Sequence, residues 1–376
     1  MYEKKLSFLG ILAIMIASAL TIMVGCAIVP AMPLIGKYYN LGENAGWLVT
    51  MPALGVVAFS ILSGKIIGKI GSYKAMIIGL IAYGTLGFLG SVMPNVIILL
   101  IDRFLLGAAT VVIMASSTDL IANFYDKNKR MKMLAIQGMS IEFGGVVFLS
   151  VSGLLSNISW RYSYYIYLVA FVALLLILFF VPKVEGKKQT LTNKKTKLTM
   201  ETYIYALITT FIGMLVFFSA IVALPIHLQN NLNFSTSFTG YFLSFVSFIA
   251  IVFAGLMPKI VEIFSIKIDL VIGNICYFIA HLIFTINNST LLLFVGAVFL
   301  GIGFGITHAL YNSIIVEKSS EDNRGLVLSL FSMATFLGQF LSSFLISIFS
   351  VKYAFIVAGI FAIINAMVVW YRIKTS

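Results

Sequence analysis

Apolar positions in this chain come in long unbroken runs, not in the alternation of a half-buried strand. Gly, Pro, Asn and charged residues divide them into twelve segments. These are 7–29, 45–67, 73–93, 96–121, 131–155, 162–182, 202–226, 236–258, 267–287, 290–315, 325–349 and 352–372. A helix crosses about 30 Å of hydrocarbon with about 20 residues, so every segment is long enough to span. Backbone groups in lipid must be satisfied within the segment, which makes each one a helix. Alternating strands of about ten residues are absent, and a β-barrel is excluded. The pattern predicts an all-α integral membrane protein of twelve transmembrane helices.

Composition agrees. Charged residues make up 10% of the 376, against about 25% in a soluble domain. Hydrophobic residues make up 61%, and the mean hydropathy is +1.07. The net charge of +12 would suit a nucleic-acid binder if it were clustered, but the basic residues are scattered through short loops. Topology explains them better. With the N-terminus placed inside, 21 of the 25 Lys and Arg fall in inner loops and tails, three fall outside (Lys37, Arg161 and Lys352), and only Arg103 lies within a span. This asymmetry supports an even helix count. It places the protein as multi-pass in the cell membrane with both termini cytoplasmic. Lys4 and Lys5 precede an apolar run too long for a cleaved leader, so the run reads as a retained first helix.

One long polar stretch, 183–200, is basic and Thr-rich, and reads as a cytosolic linker. It separates an N-terminal six-helix bundle, 1–182, from a C-terminal one, 201–376. The halves look duplicated. Ala31-Met32-Pro33 matches Ala223-Leu224-Pro225 at an offset of 192. Gly64 matches Gly255, each with a Lys shortly after it, and Arg161-Tyr162-Ser163-Tyr164 matches Lys352-Tyr353-Ala354-Phe355, both at 191. Parallel repeats of six helices joined by a basic linker describe a transporter of two pseudo-symmetric bundles.

On these features the chain resembles the major facilitator superfamily over essentially its whole length. The loop after the second segment, Gly64 to Lys74, matches the family pattern G-x-x-x-D-[RK]-x-G-x-[RK]-[RK] at Gly64, Lys69, Gly71 and Lys74, with Gly68 where Asp is expected. Arg103 to Gly107 resembles the R-x-x-x-G motif of the twelve-helix drug:proton antiporter branch. The glycines of the fifth segment (Gly138, Gly144, Gly145, Gly153) and Trp160-Arg161 also resemble that branch, although its Gly-Pro pair is missing. The resemblance implies that Gly64, Gly68, Lys69, Gly71 and Lys74 form a cytosolic latch, with Asp119 as a partner. The alternative is that the lysines only obey the inside-positive asymmetry.

Several polar residues stand out against the apolar runs. Arg103 is costly in a bilayer and must face water or a partner. Asp102 adjoins it but points about 100° away, so the two need not pair. Arg103, Gly107, Thr110 and Met114 share a helical stripe that could line a cavity. Glu142 sits about eleven residues into its helix, at a depth close to that of Arg103. A carboxylate beside a guanidinium at that depth suits proton loading and release, so Glu142, Arg103 and Asp102 are the candidate proton-coupling set. A permanent structural pair is the alternative. His308 shares a stripe with Gly301, Gly305 and Asn312, and His308 and Asn312 are further cavity candidates; His281 reads as structural. Pro30, Pro33 and Pro225 are placed to break helices near their outer ends.

Cys26 and Cys276 lie in apolar runs, so no disulfide framework is expected, and no Cys/His cluster has metal spacing. No G-x-x-x-x-G-K-[ST] occurs, so an ion gradient should supply the energy. The expected protein is neither an enzyme nor a cofactor binder. It is a monomeric secondary transporter in the lipid bilayer, moving a small molecule with protons and binding no nucleic acid. The antiporter features favour export of a small, partly hydrophobic compound. A siderophore exporter, a proton-coupled nutrient importer and a non-transporting membrane receptor are the competing expectations.

Overall fold

The computed structural model describes residues 6–125, 127–183, 201–286, 289–318 and 324–372. The described residues form twelve helices long and apolar enough to cross a membrane, and no strands. They are α1 (Phe8–Cys26), α2 (Gly42–Ile70), α3 (Ser72–Val92), α4 (Val96–Phe124), α5 (Lys132–Ile158), α6 (Trp160–Phe180), α7 (Tyr203–Asn231), α8 (Thr236–Ile263), α9 (Ile266–Ile286), α10 (Thr290–Ile315), α11 (Leu326–Ile348) and α12 (Val351–Arg372). Serine and asparagine caps start several of them. The Ser7 side chain accepts from the Gly10 N–H at 3.1 Å, Asn95 from Ile98 at 3.0 Å, and Ser235 from Phe238 at 3.1 Å. Each satisfies one backbone donor left open at a helix start.

The helix ends at these prolines differ from the expectation. The first run stops at Cys26, turns through 27–31, and resumes as a short helix, Met32–Tyr38, that Pro33 helps to open. Pro225 does not end its helix. The chain continues past it into a π-helical turn, His227–Asn231. Asn40 and Asn233 then close the two segments in the left-handed conformation, at φ 54° and 57°. Matching prolines followed by matching left-handed asparagines extend the sequence duplication into backbone geometry.

Two compact units result. One contains residues up to Ala31 together with Met51 onward through α6; the other contains Met32–Thr50 with α7 to α12. The expected linker lies, from residue 184 onward, outside the described residues.

Candidate functional site

The buried centre of the first unit is built on Arg103. Its side chain is fully buried, and its counter-ion is its neighbour Asp102, with Nη2 and Nε donating to Oδ2 at 2.9 and 3.2 Å. Nη1 donates to the Tyr167 hydroxyl at 3.0 Å, and Nη2 also reaches the Gly87 carbonyl at 3.4 Å. The guanidinium lies 5.1 and 5.2 Å from the ring centroids of Tyr164 and Tyr167. Tyr164 and Tyr167 sit in a 3₁₀ stretch, Trp160–Leu168, in which residues three apart eclipse. That geometry aims both rings at one cation. Gly87 and Gly90 of α3 leave the space: a Cβ at Gly87 would strike the Tyr167 ring, and one at Gly90 the Tyr164 ring and the guanidinium. The Tyr167 hydroxyl then donates to the Val24 carbonyl at 2.9 Å, and Tyr83 to the Leu20 carbonyl at 2.6 Å, which ties in α1.

This geometry corrects three sequence expectations. Arg103 pairs with Asp102 after all, because a long side chain can curl back across 100° of helix. It does not pair with Glu142: among the described residues the Arg103 ion pair is with Asp102 alone. Equal depth says nothing about which way two helices face. Finally, Arg103, Gly107 and Thr110 are interior positions, not cavity-lining ones. Gly107 packs against the Pro52 backbone of α2, and Thr110 is fully buried with its hydroxyl on the Leu106 carbonyl of its own helix at 2.7 Å. Met114, lower on that stripe, is half-buried.

Glu142 is half-buried on α5, a helix that packs along α1. That contact is fixed above and below it, by Gly144 against Ala19, by Gln137 donating to the Ser18 hydroxyl at 3.0 Å, and by Ser152 donating to the Ala27 carbonyl at 2.6 Å. Its carboxylate makes no hydrogen bond or ion pair among the described residues, and the Cys26 thiol of α1 lies within its field.

At the α2–α3 turn, Gly71 has φ 83°, a conformation that L side chains avoid. Gly64 and Gly68 have open space where a Cβ would go, so helix packing does not require a glycine at either position. Lys69 and Lys74 are exposed and not ion-paired among the described residues. Asp119 does not meet them. Its carboxylate accepts from Asn123 at 3.2 Å, and Asn123 also reaches the Ser72 hydroxyl at 3.4 Å.

Among the described residues the second unit has no ion pair to match that of Arg103. Its interior carries two neutral networks, of which the sequence pointed only to His281 as a structural residue. Asn365 donates to the Asn274 side-chain oxygen at 2.9 Å, the Thr209 carbonyl at 3.1 Å and the Tyr311 hydroxyl at 3.4 Å, joining α7, α9, α10 and α12. His281 is fully buried with both ring nitrogens engaged, by the Tyr277 carbonyl at 2.8 Å and the Ser219 hydroxyl at 3.3 Å. His308 is half-buried and stacked between Phe304 and Phe331, and Asn312 is exposed one turn further on. Gly301 and Gly305, on the same stripe, pack against Val246, Ile249 and Ala250 of α8. Residues 47–50 also contribute to this unit. Trp47 donates to the Ser347 hydroxyl at 3.0 Å, and Thr50 to the Ser343 hydroxyl at 2.8 Å.

Comparison with known proteins agrees with this architecture. Residues 9–261 and 206–376 match the Major Facilitator Superfamily profile. Over 154 residues the chain is 24% identical to the galactose-proton symporter of Escherichia coli (strain K12), covering 40% of this chain and 33% of that one. Over 174 residues it is 25% identical to multidrug resistance protein 1 of Bacillus subtilis (strain 168), covering 45% and 44%. The matches thus span less than half the length of these curated relatives. A crystal structure of a D-xylose-proton symporter superposes with a TM-score of 0.82 at 16% identity, covering 98% of each chain.

Proposed function

Because this chain belongs to the Major Facilitator Superfamily, a family of membrane transporters and not of enzymes, we propose that it exports a small, partly hydrophobic molecule in exchange for protons, with Glu142 as the proton carrier. The observation that supports Glu142 is its lack of a partner. Asp102 is committed to Arg103 and Asp119 to Asn123, and Asp269, also unpartnered among the described residues, sits in the first turn of α9, whereas Glu142 keeps a largely enclosed, unpaired carboxylate deep in a span. An ionised carboxylate is costly to enclose and a protonated one is far less so. Closing the helices around Glu142 therefore favours proton uptake, and opening them to water favours release. The Arg103–Asp102 pair holds α1, α3, α4 and α6 in register, and its role is to position. The functional bundles of this alternating-access scheme are 1–182 and 201–376, with both termini and the 183–200 linker cytosolic. The symporter relatives support a second reading, proton-coupled uptake, which uses the same carrier in the opposite direction.

The decisive measurement is proton flux in proteoliposomes when a transported compound is added. Glu142→Gln should abolish gradient-driven transport while sparing compound binding. Normal uphill transport by Glu142→Gln would overturn the assignment. Orientation has its own test. A cysteine at Lys188 should resist an impermeant thiol reagent in intact cells, and labelling from outside would reverse the topology.

A further inference from the structure

The second unit contains a stack of four rings drawn from three helices. Phe217 of α7 stacks on Phe304 of α10 at 4.0 Å between centroids, Phe304 on His308 at 5.3 Å, and His308 on Phe331 of α11 at 5.7 Å, with interplanar angles of 22°, 7° and 24°. One member of the stack is chemically out of place. Among the described residues His308 makes no hydrogen bond, and its buried Nδ1 has no partner. The same unit shows how this chain treats a structural histidine, since His281 has both nitrogens engaged. An unsatisfied imidazole in a packed protein calls for a reason. A second unpartnered polar atom, the Thr335 hydroxyl, lies one turn beyond Phe331 on α11. His308 is part-exposed, and Asn312, one turn on along the same helix face, is an exposed polar residue.

We propose that the rim of this stack, with His308 as its hydrogen-bonding member, binds flat, uncharged aromatic molecules that carry a polar edge. The inference rests on the transporter reading and names the class of molecule moved. Three features select that class. First, the spans of α7, α10 and α11 contain no Asp, Glu, Lys or Arg, so nothing in them balances an ionic ligand. Second, Phe304 and His308 each stack with two neighbouring rings, which favours approach to their edges over their faces. Ring edges are electropositive: they attract the face of another aromatic ring and repel a cation that would otherwise seek a π face. Third, one imidazole and one hydroxyl can satisfy a single amide or hydroxyl on the ligand, but not the ring of hydroxyls on a sugar, which would lose most of its hydration uncompensated. The stack thus disfavours both the sugars carried by the symporter relatives and cationic compounds.

The test is binding of quinoline-4-carboxamide to the purified full-length chain in detergent, followed by titration calorimetry with no gradient present. The wild type should bind it, and neither D-galactose nor tetraphenylphosphonium should displace it. His308→Phe keeps the stack but removes the hydrogen bond, and should weaken binding at least tenfold at an unchanged unfolding temperature. If that variant does not fold, Phe304→Leu decides the matter: it keeps His308, thins the stack and should also weaken binding. Absence of binding to the wild type, equal affinity in the deciding variant, or displacement by galactose or the phosphonium would overturn the proposal. Binding is read apart from coupling, so its failure leaves the Glu142 assignment intact, and the reverse also holds.

Discussion

The two halves of this molecule solve the same packing problem with different chemistry. In the first, α1, α3, α4 and α6 converge on a buried guanidinium, its adjacent carboxylate and two tyrosines. In the second, α7, α9, α10 and α12 converge on two asparagines and a tyrosine with no formal charge. Tyr83 and Asn274 occupy equivalent places in the duplication, at the offset of 191 seen in the sequence, so a shared site has diverged in content. An ionic centre fixes geometry tightly but depends on every member staying in place. A neutral network tolerates the loss of one bond more easily. The half with the rigid ionic core also holds the unpartnered Glu142, and the half with the neutral core holds the unpartnered His308.

The contrast can be broken most sharply at Asp102. Asp102→Ala leaves a buried guanidinium without its counter-ion and should destabilise the protein by about 3–5 kcal/mol, read as a large fall in unfolding temperature or loss of folded protein in detergent. The double change Asp102→Leu with Arg103→Met should recover most of that loss, because apolar replacement of a buried pair is often neutral. No recovery would mean that Arg103 does more than position helices. A smaller effect is expected in the other half. Asn365→Leu leaves the Asn274 side-chain oxygen without its donor and should cost about 1–3 kcal/mol by the same measurement. A cost equal to that of Asp102→Ala would erase the distinction between the two centres. Smallest is the turn between α2 and α3. Gly71→Ala forces a side chain into a backbone region reserved for glycine and should cost about 1–3 kcal/mol, toward the low end in an exposed turn. Gly68→Asp meets open space and should leave the unfolding temperature unchanged.

The twelve spans were legible because twenty-residue apolar runs have one solution in lipid, and the duplication was legible because matched prolines keep their spacing. Arg103 stood out as the one basic residue well inside a span, the others lying at span ends. Its surroundings did not, for reasons of geometry. The 3₁₀ start of α6, which brings Tyr164 and Tyr167 onto one face, has no signature in hydropathy. The depth argument that set Glu142 beside Arg103 fixed height but not direction, and the two residues face different neighbours. The stripes drawn through Gly107 and through Gly301 and Gly305 traced real helix faces, but those faces carry helix contacts. The asparagine network escaped notice because isolated asparagines in apolar helices look unremarkable until α7, α9, α10 and α12 bring them together.

The segment Met32–Thr50 is encoded with the first half, yet it groups with the second, where Trp47 and Thr50 supply the donors that Ser347 and Ser343 accept. Ancestry and architecture therefore draw the border in different places. A fragment cut at the linker and carrying only 201–376 would lose the Trp47 and Thr50 donors, leaving Ser343 and Ser347 only their bonds within α11 and a face of that helix uncovered. Split versions of this protein should consequently work by complementation, with each fragment inert until the other is made beside it.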